Sequence, residues 1–284
     1  VDDYGLDPSI DEAALRLVVQ GRVSAISCMT RMPRWPAAAR ALAGVSARAD
    51  IGLHLDFTQA GGAGLRRSLG QFIAAAYLGR LSSAALRDEV RAQLDAFEDA
   101  VGATPDFIDG HQHVHQLPGV REALMQELVL RYAGQRPWLR NTQPPTQYGA
   151  ACRPSRADAC KHGLIATLGA RKFTALAQAC GFPTNRHLLG VYGFEGSLSD
   201  HEARLACWCA QAGAGDLLMS HPATAAMVGD PIGNMRLTEY AALRSMRFGE
   251  LLNEFGLRIA RLSGKVTPPP AGAGCRFQQP ISPH

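Results

Sequence analysis

Short apolar runs alternate with helix-patterned segments along most of this chain, and that alternation restricts the fold more than any other feature. Val23–Met29 (VSAISCM), Asp50–Thr58 (DIGLHLDFT), Asp106–Gly110, Trp138–Asn141, Asp216–Ser220 (DLLMS) and Leu257–Leu262 read as strands. Leu188–Phe194 (LLGVYGF) reads as a strand or an aromatic loop. Between them, Pro8–Gln20 reads as a helix, with Ser9 as its cap and Glu12 three residues on. Ser82–Val101 places Leu86, Val90, Leu94, Phe97 and Val101 at helical spacing. Further helices are expected over Pro36–Leu42, from after Pro118 to near Tyr132, and over Lys172–Cys180, Ser199–Ala212 and Leu237–Phe255; Gln143–Ala159 reads as a long loop. Repeated strand-then-helix units imply a parallel sheet, and a chain of 284 residues with 46% hydrophobic content suits one closed α/β unit, a TIM-like (β/α) barrel. The barrel is expected over residues 1–264 as a single domain, with the Pro- and Gly-rich tail 265–284 disordered.

Composition removes several classes of function. The formal charge of +4 is spread along the chain without a Lys/Arg block, so no nucleic-acid partner is expected. There is no GxGxxG after a strand and no phosphate-binding Gly/Lys loop. No run of about 18 apolar residues is present, so no transmembrane helix is expected. The chain opens VDDYG and not with a basic then apolar segment, so no signal peptide is expected. Val1 reads as the last residue of a strand, so the first strand of the barrel is expected to be missing. Seven cysteines in no paired spacing read as reduced, mostly buried thiols of a cytoplasmic protein.

Asp and His fall at the expected strand ends: Asp2-Asp3, then His54, then Asp109 and His111, then His221. In a (β/α) barrel those ends converge on one mouth, where catalytic groups gather. Adjacent carboxylates point in different directions, so one can hold a metal while the other remains free as a base. His111, His113 and His115 alternate in DGHQHVHQLP, and one of them is expected to ligate. Asp109 can accept the ring N–H of a ligating imidazole. A carboxylate and two histidines on one divalent metal, with a free carboxylate and a free histidine, serve metal-assisted hydrolysis.

VDDYGLDPSIDEA, VSAISCM, IGLHLDFT, DGHQHVHQLP and the late SHPA resemble the YdjC-like carbohydrate deacetylase family (ChbG/HpnK type). The resemblance implies a barrel of the glycoside hydrolase/deacetylase type and removal of an acetyl group from an N-acetylated sugar or oligosaccharide. It implies one divalent metal ion, Mg²⁺ or Zn²⁺. Carried over by position, Asp3, His54 and His111 hold the metal, Asp2 is the base and His221 the acid. Tyr4, His113, His115 and Arg140 are then candidates for substrate contact, with Trp35, Tyr192 and Phe194 as aromatic surfaces for sugar. A homodimer is the ordinary oligomeric expectation. Two other functions use the same residues: a metal-dependent hydrolase of a phosphoester or another amide, and an inactive sugar-binding homologue.

Overall fold

The computed structural model describes residues 1–59, 65, 67–145, 156–264, 275 and 277. Four parallel strands lie side by side in the order β1 (Ala25–Cys28), β2 (Asp50–Leu55), β3 (Phe107–Gly110) and β4 (Trp138–Leu139). A second parallel pair joins β5 (Leu188–Leu189) to β6 (Leu217–Leu218). Backbone bonds link the two sheets into a ring. Leu139 N donates to Pro183 O and Leu188 N to Gln143 O on one side. On the other, Val1–Tyr4 lie between β1 and the residues after β6: Ser27 N donates to Val1 O, Tyr4 N to Ser27 O, and Asp2 N to Ser220 O. The terminal carboxylates do not fray into solvent, since Asp2 and Asp3 are 2% and 1% exposed. The result is the expected α/β barrel, with β2–β5 buried, β6 part-buried and the helices outside.

The helices are α1 (Pro8–Val19), α2 (Trp35–Leu42), α3 (Leu69–Tyr77), α4 (Ser83–Val101), α5 (Val120–Arg131), α6 (Arg156–Ile165), α7 (Arg171–Ala179), α8 (Leu198–Gln211), α9 (Gly233–Arg244) and α10 (Met246–Glu254). On α4, Leu86, Val90, Leu94 and Phe97 are buried along one face against the sheet, as the spacing requires. Ser82 caps α4 by accepting from Ala85 N.

Several expectations are corrected. The cap of α1 is Asp7, whose Oδ1 takes both the backbone N–H and the hydroxyl of Ser9. The helix expected over Leu237–Phe255 is two helices, because Ser245 turns to an extended backbone (ψ 158°) and caps α10. Leu257–Leu262 pairs with no strand; its end is held instead by Asp50, which accepts from Leu262 N, Ser263 N and Arg261 Nε. Of the long loop, 146–155 lies outside the described residues, and α6 begins at Arg156. Cys180 and Cys275 are not free thiols but a disulfide, which removes the cysteine argument for a reducing compartment. Cys275 and Phe277 pack on the main core; the rest of the tail from 265 lies outside the described residues. No described helix is long and apolar enough to cross a membrane.

Close backbone approach is required at Gly52 in β2, where an added Cβ would sit 2.4 Å from the Phe107 ring. That ring is stacked on Trp138 at 4.3 Å, so any shift of it disturbs the stack. Gly52→Ala is expected to destabilise the fold by about 1–3 kcal/mol, measured by urea unfolding.

Candidate metal centre and active site

The centre is built from strand ends and from what immediately follows them. β2 and β3 are in register with His54 opposite Asp109. Both side chains point into the barrel. His54 Nδ1 lies 2.7 Å from Asp109 Oδ1 and 3.0 Å from Ser27 Oγ on β1. With Nδ1 committed to that carboxylate, Nε2 faces Asp3, 3.4 Å from its Oδ1. Asp3 has a left-handed backbone (φ 66°), a conformation that Asp tolerates better than most residues. The turn brings its carboxylate against His111, whose Nδ1 is 2.9 Å from the same oxygen.

Asp3, His54 and His111 therefore offer ligand atoms that all lie within 4.8 Å of one another. The set fits a divalent ion on chemistry as well as distance. Two imidazoles and one carboxylate are a donor set for Zn²⁺ and similar cations. Among the described residues, His111 Nε2 is buried without a hydrogen-bond partner. Burial alone would lower the His54 pKa, but the carboxylates of Asp109, Asp2 and Asp3 raise it to about 10. The pocket thus favours positive charge at this point, which a proton or a metal cation can supply. A second group, Asp2, His54 and Asp109, is equally compact, but its two carboxylates are already bound to a guanidinium.

That guanidinium belongs to Arg140, just beyond β4. Its two terminal nitrogens each donate to one oxygen of Asp2 at 2.6 Å, and Nη2 also meets Asp109 Oδ2. Burial would raise the Asp2 carboxyl pKa, yet Arg140 outweighs it and holds the group well below the usual carboxylate range. His221 Nε2 lies 3.8 Å from Asp2 Oδ2. Burial pushes the His221 imidazole down to about 4, against the opposing pull of Asp2 and Asp3.

Asp2, Asp3, His54, Asp109, His111, Arg140 and His221 are thus brought together at one pole. The other candidates divide. The 111–116 segment is a 3-10 turn in which Gln112 and His113 are left-handed (φ 54° and 61°), so the three histidines do not share one strand face. His115 turns into the core, donating from Nε2 to Arg140 O and packing edge-on to Phe173. His113 keeps an unpartnered buried Nδ1 and feels the charges of Arg140, Asp2 and His221. Tyr4 is not in the mouth: it is fully buried and its hydroxyl donates to Ala38 O on α2. Trp35 is core as well, bonded to Ala96 O, and Tyr192 is buried; only Phe194 is part-exposed, edge-on to His221. Asp56, two residues after His54, is buried and closes its own turn by accepting from Thr58 N and Gln59 N.

The match to protein-family models covers residues 1–254 and carries the description YdjC-like protein. This chain belongs to that family. Carbohydrate deacetylases of Mus musculus and Homo sapiens are each 31% identical over 180 residues, 56% of this chain. The match spans about half of their own length, 55% and 53%. The crystal structure of an Enterococcus faecalis protein proposed to cleave cellobiose-phosphate superposes with a TM-score of 0.68 at 19% identity, over 94% of this chain and 97% of that one, and so supports the fold.

Three residues at this pole escaped the sequence. Ser27 sits mid-strand in β1 and donates to Asp109 Oδ1. Arg236 and Glu239 lie on α9, three residues apart. Arg236 reaches Asp3, while Glu239 accepts from Tyr192 OH at 2.7 Å and from His221 N. The available signal is the i, i+3 spacing of a charged pair shortly after the HPA segment. A cavity of about 1130 Å³ lies elsewhere: it is lined by the strand starts Ala25, Asp50, Phe107 and Trp138, and not by Asp3, His54 or His111.

Glu239 generates a pH prediction. Burial raises its pKa from an ordinary 4.5 to about 7. Between those values the unfolded carboxyl has lost its proton and the folded one keeps it, so stability falls as pH rises through this window. The full effect is up to roughly 3 kcal/mol. Urea unfolding of the wild type between pH 5 and 8 is expected to show this decline, and Glu239→Gln to flatten it.

Proposed function

We propose that this chain is a metal-dependent carbohydrate deacetylase that removes the acetyl group from an N-acetylated sugar or oligosaccharide. The observation that carries this is the arrangement at one pole: the Asp3–His54–His111 cluster flanked by the Arg140-held carboxylate of Asp2 and by His221. The deacetylase names of the mouse and human relatives support the same chemistry.

Asp3, His54 and His111 would hold one divalent ion, Zn²⁺ or Mg²⁺, which when bound activates water and polarises the acetyl carbonyl. Asp2, kept ionised by Arg140, is the acceptor for the proton of the attacking water. His221 delivers a proton to the amine nitrogen as the C–N bond breaks, leaving acetate and the free amino sugar. His221 Nε2 is 3.8 Å from Asp2 Oδ2, beyond direct hydrogen-bond reach, so the proton taken up by Asp2 would reach His221 through one bridging water. Asp109 and Ser27 fix the His54 ring, and Arg140 orients Asp2. His113, with its free Nδ1, is the histidine of the 111–115 run that we assign to substrate contact.

One observation favours a variant of this mechanism. Both Asp2 oxygens already accept from Arg140, and His221 is kept neutral. In that variant His221 takes the water's proton itself and returns it to the amine, while Asp2 only orients. The experiment is acetate release from diacetylchitobiose by EDTA-treated protein given back Zn²⁺ or Mg²⁺. Metal-dependent release is expected, falling by about 10²–10⁴-fold in both Asp2→Asn and His221→Ala. A loss confined to His221→Ala would select the variant. Metal binding without release from any acetylated sugar would favour a different hydrolase or a sugar-binding protein.

A further inference from the structure

Asp3 is approached from two sides, and its two oxygens are divided between them. Oδ1 faces the imidazoles, 2.9 Å from His111 Nδ1 and 3.4 Å from His54 Nε2. Oδ2 accepts from Arg236 Nη2 at 2.7 Å. The same guanidinium donates from Nε to Asp230 Oδ2 at 2.6 Å, and its Nη1 lies 3.4 Å from the backbone oxygen of His221. Arg236 is itself buried, 3% exposed. We propose that Arg236 is a positioning residue for the metal: it fixes Asp3 as a one-oxygen ligand aimed at His54 and His111, and ties that ligand to the loop that carries His221. This rests on the metal-centred function proposed above.

The physical case has two parts that act in opposite directions. A carboxylate with both oxygens free can rotate and exchange which oxygen it presents. The left-handed backbone at Asp3 presets where its side chain starts, and Arg236 removes the remaining rotation. Outer partners of this kind hold ligands in place, and their loss typically costs about 10–100-fold in metal affinity. Against that, a guanidinium beside a ligand repels a cation. Here Asp230 offsets the charge, since it is paired with Arg236 and only 7% of its side chain is exposed. Removing both members of the pair therefore deletes the clamp without changing net charge, and so separates orientation from electrostatics.

The test titrates the metal-free full chain with Zn²⁺ against a chromophoric chelator. The double variant Arg236→Met/Asp230→Asn is expected to bind Zn²⁺ about 10–100-fold more weakly than wild type. Arg236→Lys keeps the charge but loses the planar fork that bridges Asp3, Asp230 and the His221 backbone oxygen at once, and is expected to fall between, roughly three- to tenfold weaker. A double variant within twofold of wild type would overturn the proposal. If the double variant does not fold, Arg236→Lys decides alone, and an affinity equal to wild type overturns it. Wild-type protein that takes up no Zn²⁺ or Mg²⁺ would overturn the metal-centred function itself, before any variant is compared.

Discussion

Arg140 is the contact on which the rest of the pole depends. Asp2 and Asp109 are both buried and both lie against its guanidinium, which is the largest influence opposing burial and keeping each carboxyl ionised. Buried ion pairs add little net stability, because desolvation offsets attraction, but removing one partner leaves an uncompensated charge and costs several kcal/mol, roughly 3–5. The arrangement therefore maintains charge at a chosen place. It keeps Asp2 anionic beside the Asp3–His54–His111 cluster and Asp109 anionic behind His54. The imidazole of His54 is oriented as a consequence, and so is the cluster that includes Asp3 and His111.

The barrel explains why these groups meet. Parallel strands present their C-terminal ends at one pole, so Ser27, His54, Asp109 and Arg140 come from four neighbouring strands or the residues just after them. The ring closes where Asp2 N bonds Ser220 O, which sets the Asp doublet beside the His221 loop. α9 then caps that junction, Arg236 on Asp3 and Glu239 on the loop. Two neighbouring acid–base groups are thus given opposite tendencies, Asp2 held ionised by a guanidinium and His221 held neutral by burial.

Much of this was readable from the chain because it is local. The strand β2 and the helix α4 declare themselves by burial pattern and periodicity, and the polar residues at strand ends mark the pole. What was hidden is non-local or turns on a single torsion. Nothing in the apolar run VSAISCM distinguishes Ser27 as a hydrogen-bond donor to Asp109, 82 residues away. Arg236 finds Asp3 across 233 residues. The alternation HQHVH suggests a strand, but two left-handed residues break it and send His115 to the core. Tyr4 beside the Asp pair reads as a substrate contact, yet the chain turns at the left-handed Asp3 and the Tyr4 side chain is buried against α2. Among seven cysteines, spacing alone does not name Cys180 and Cys275 as partners.

The left-handed backbone at Asp3 limits how this site can change over evolutionary time. Besides Asp, Gly and Asn adopt that conformation most readily, and neither brings a charged oxygen. Glutamate would keep the charge but not the backbone. A lineage drifting away from this position thus has two easy destinations, both of which keep the turn and remove the anionic ligand. On the metal-centred function proposed above, relatives reading Asp-Asn-Tyr-Gly or Asp-Gly-Tyr-Gly here would be expected to fold normally and to lose the metal, so one letter in that tetrad would separate descendants that hydrolyse from those that only bind.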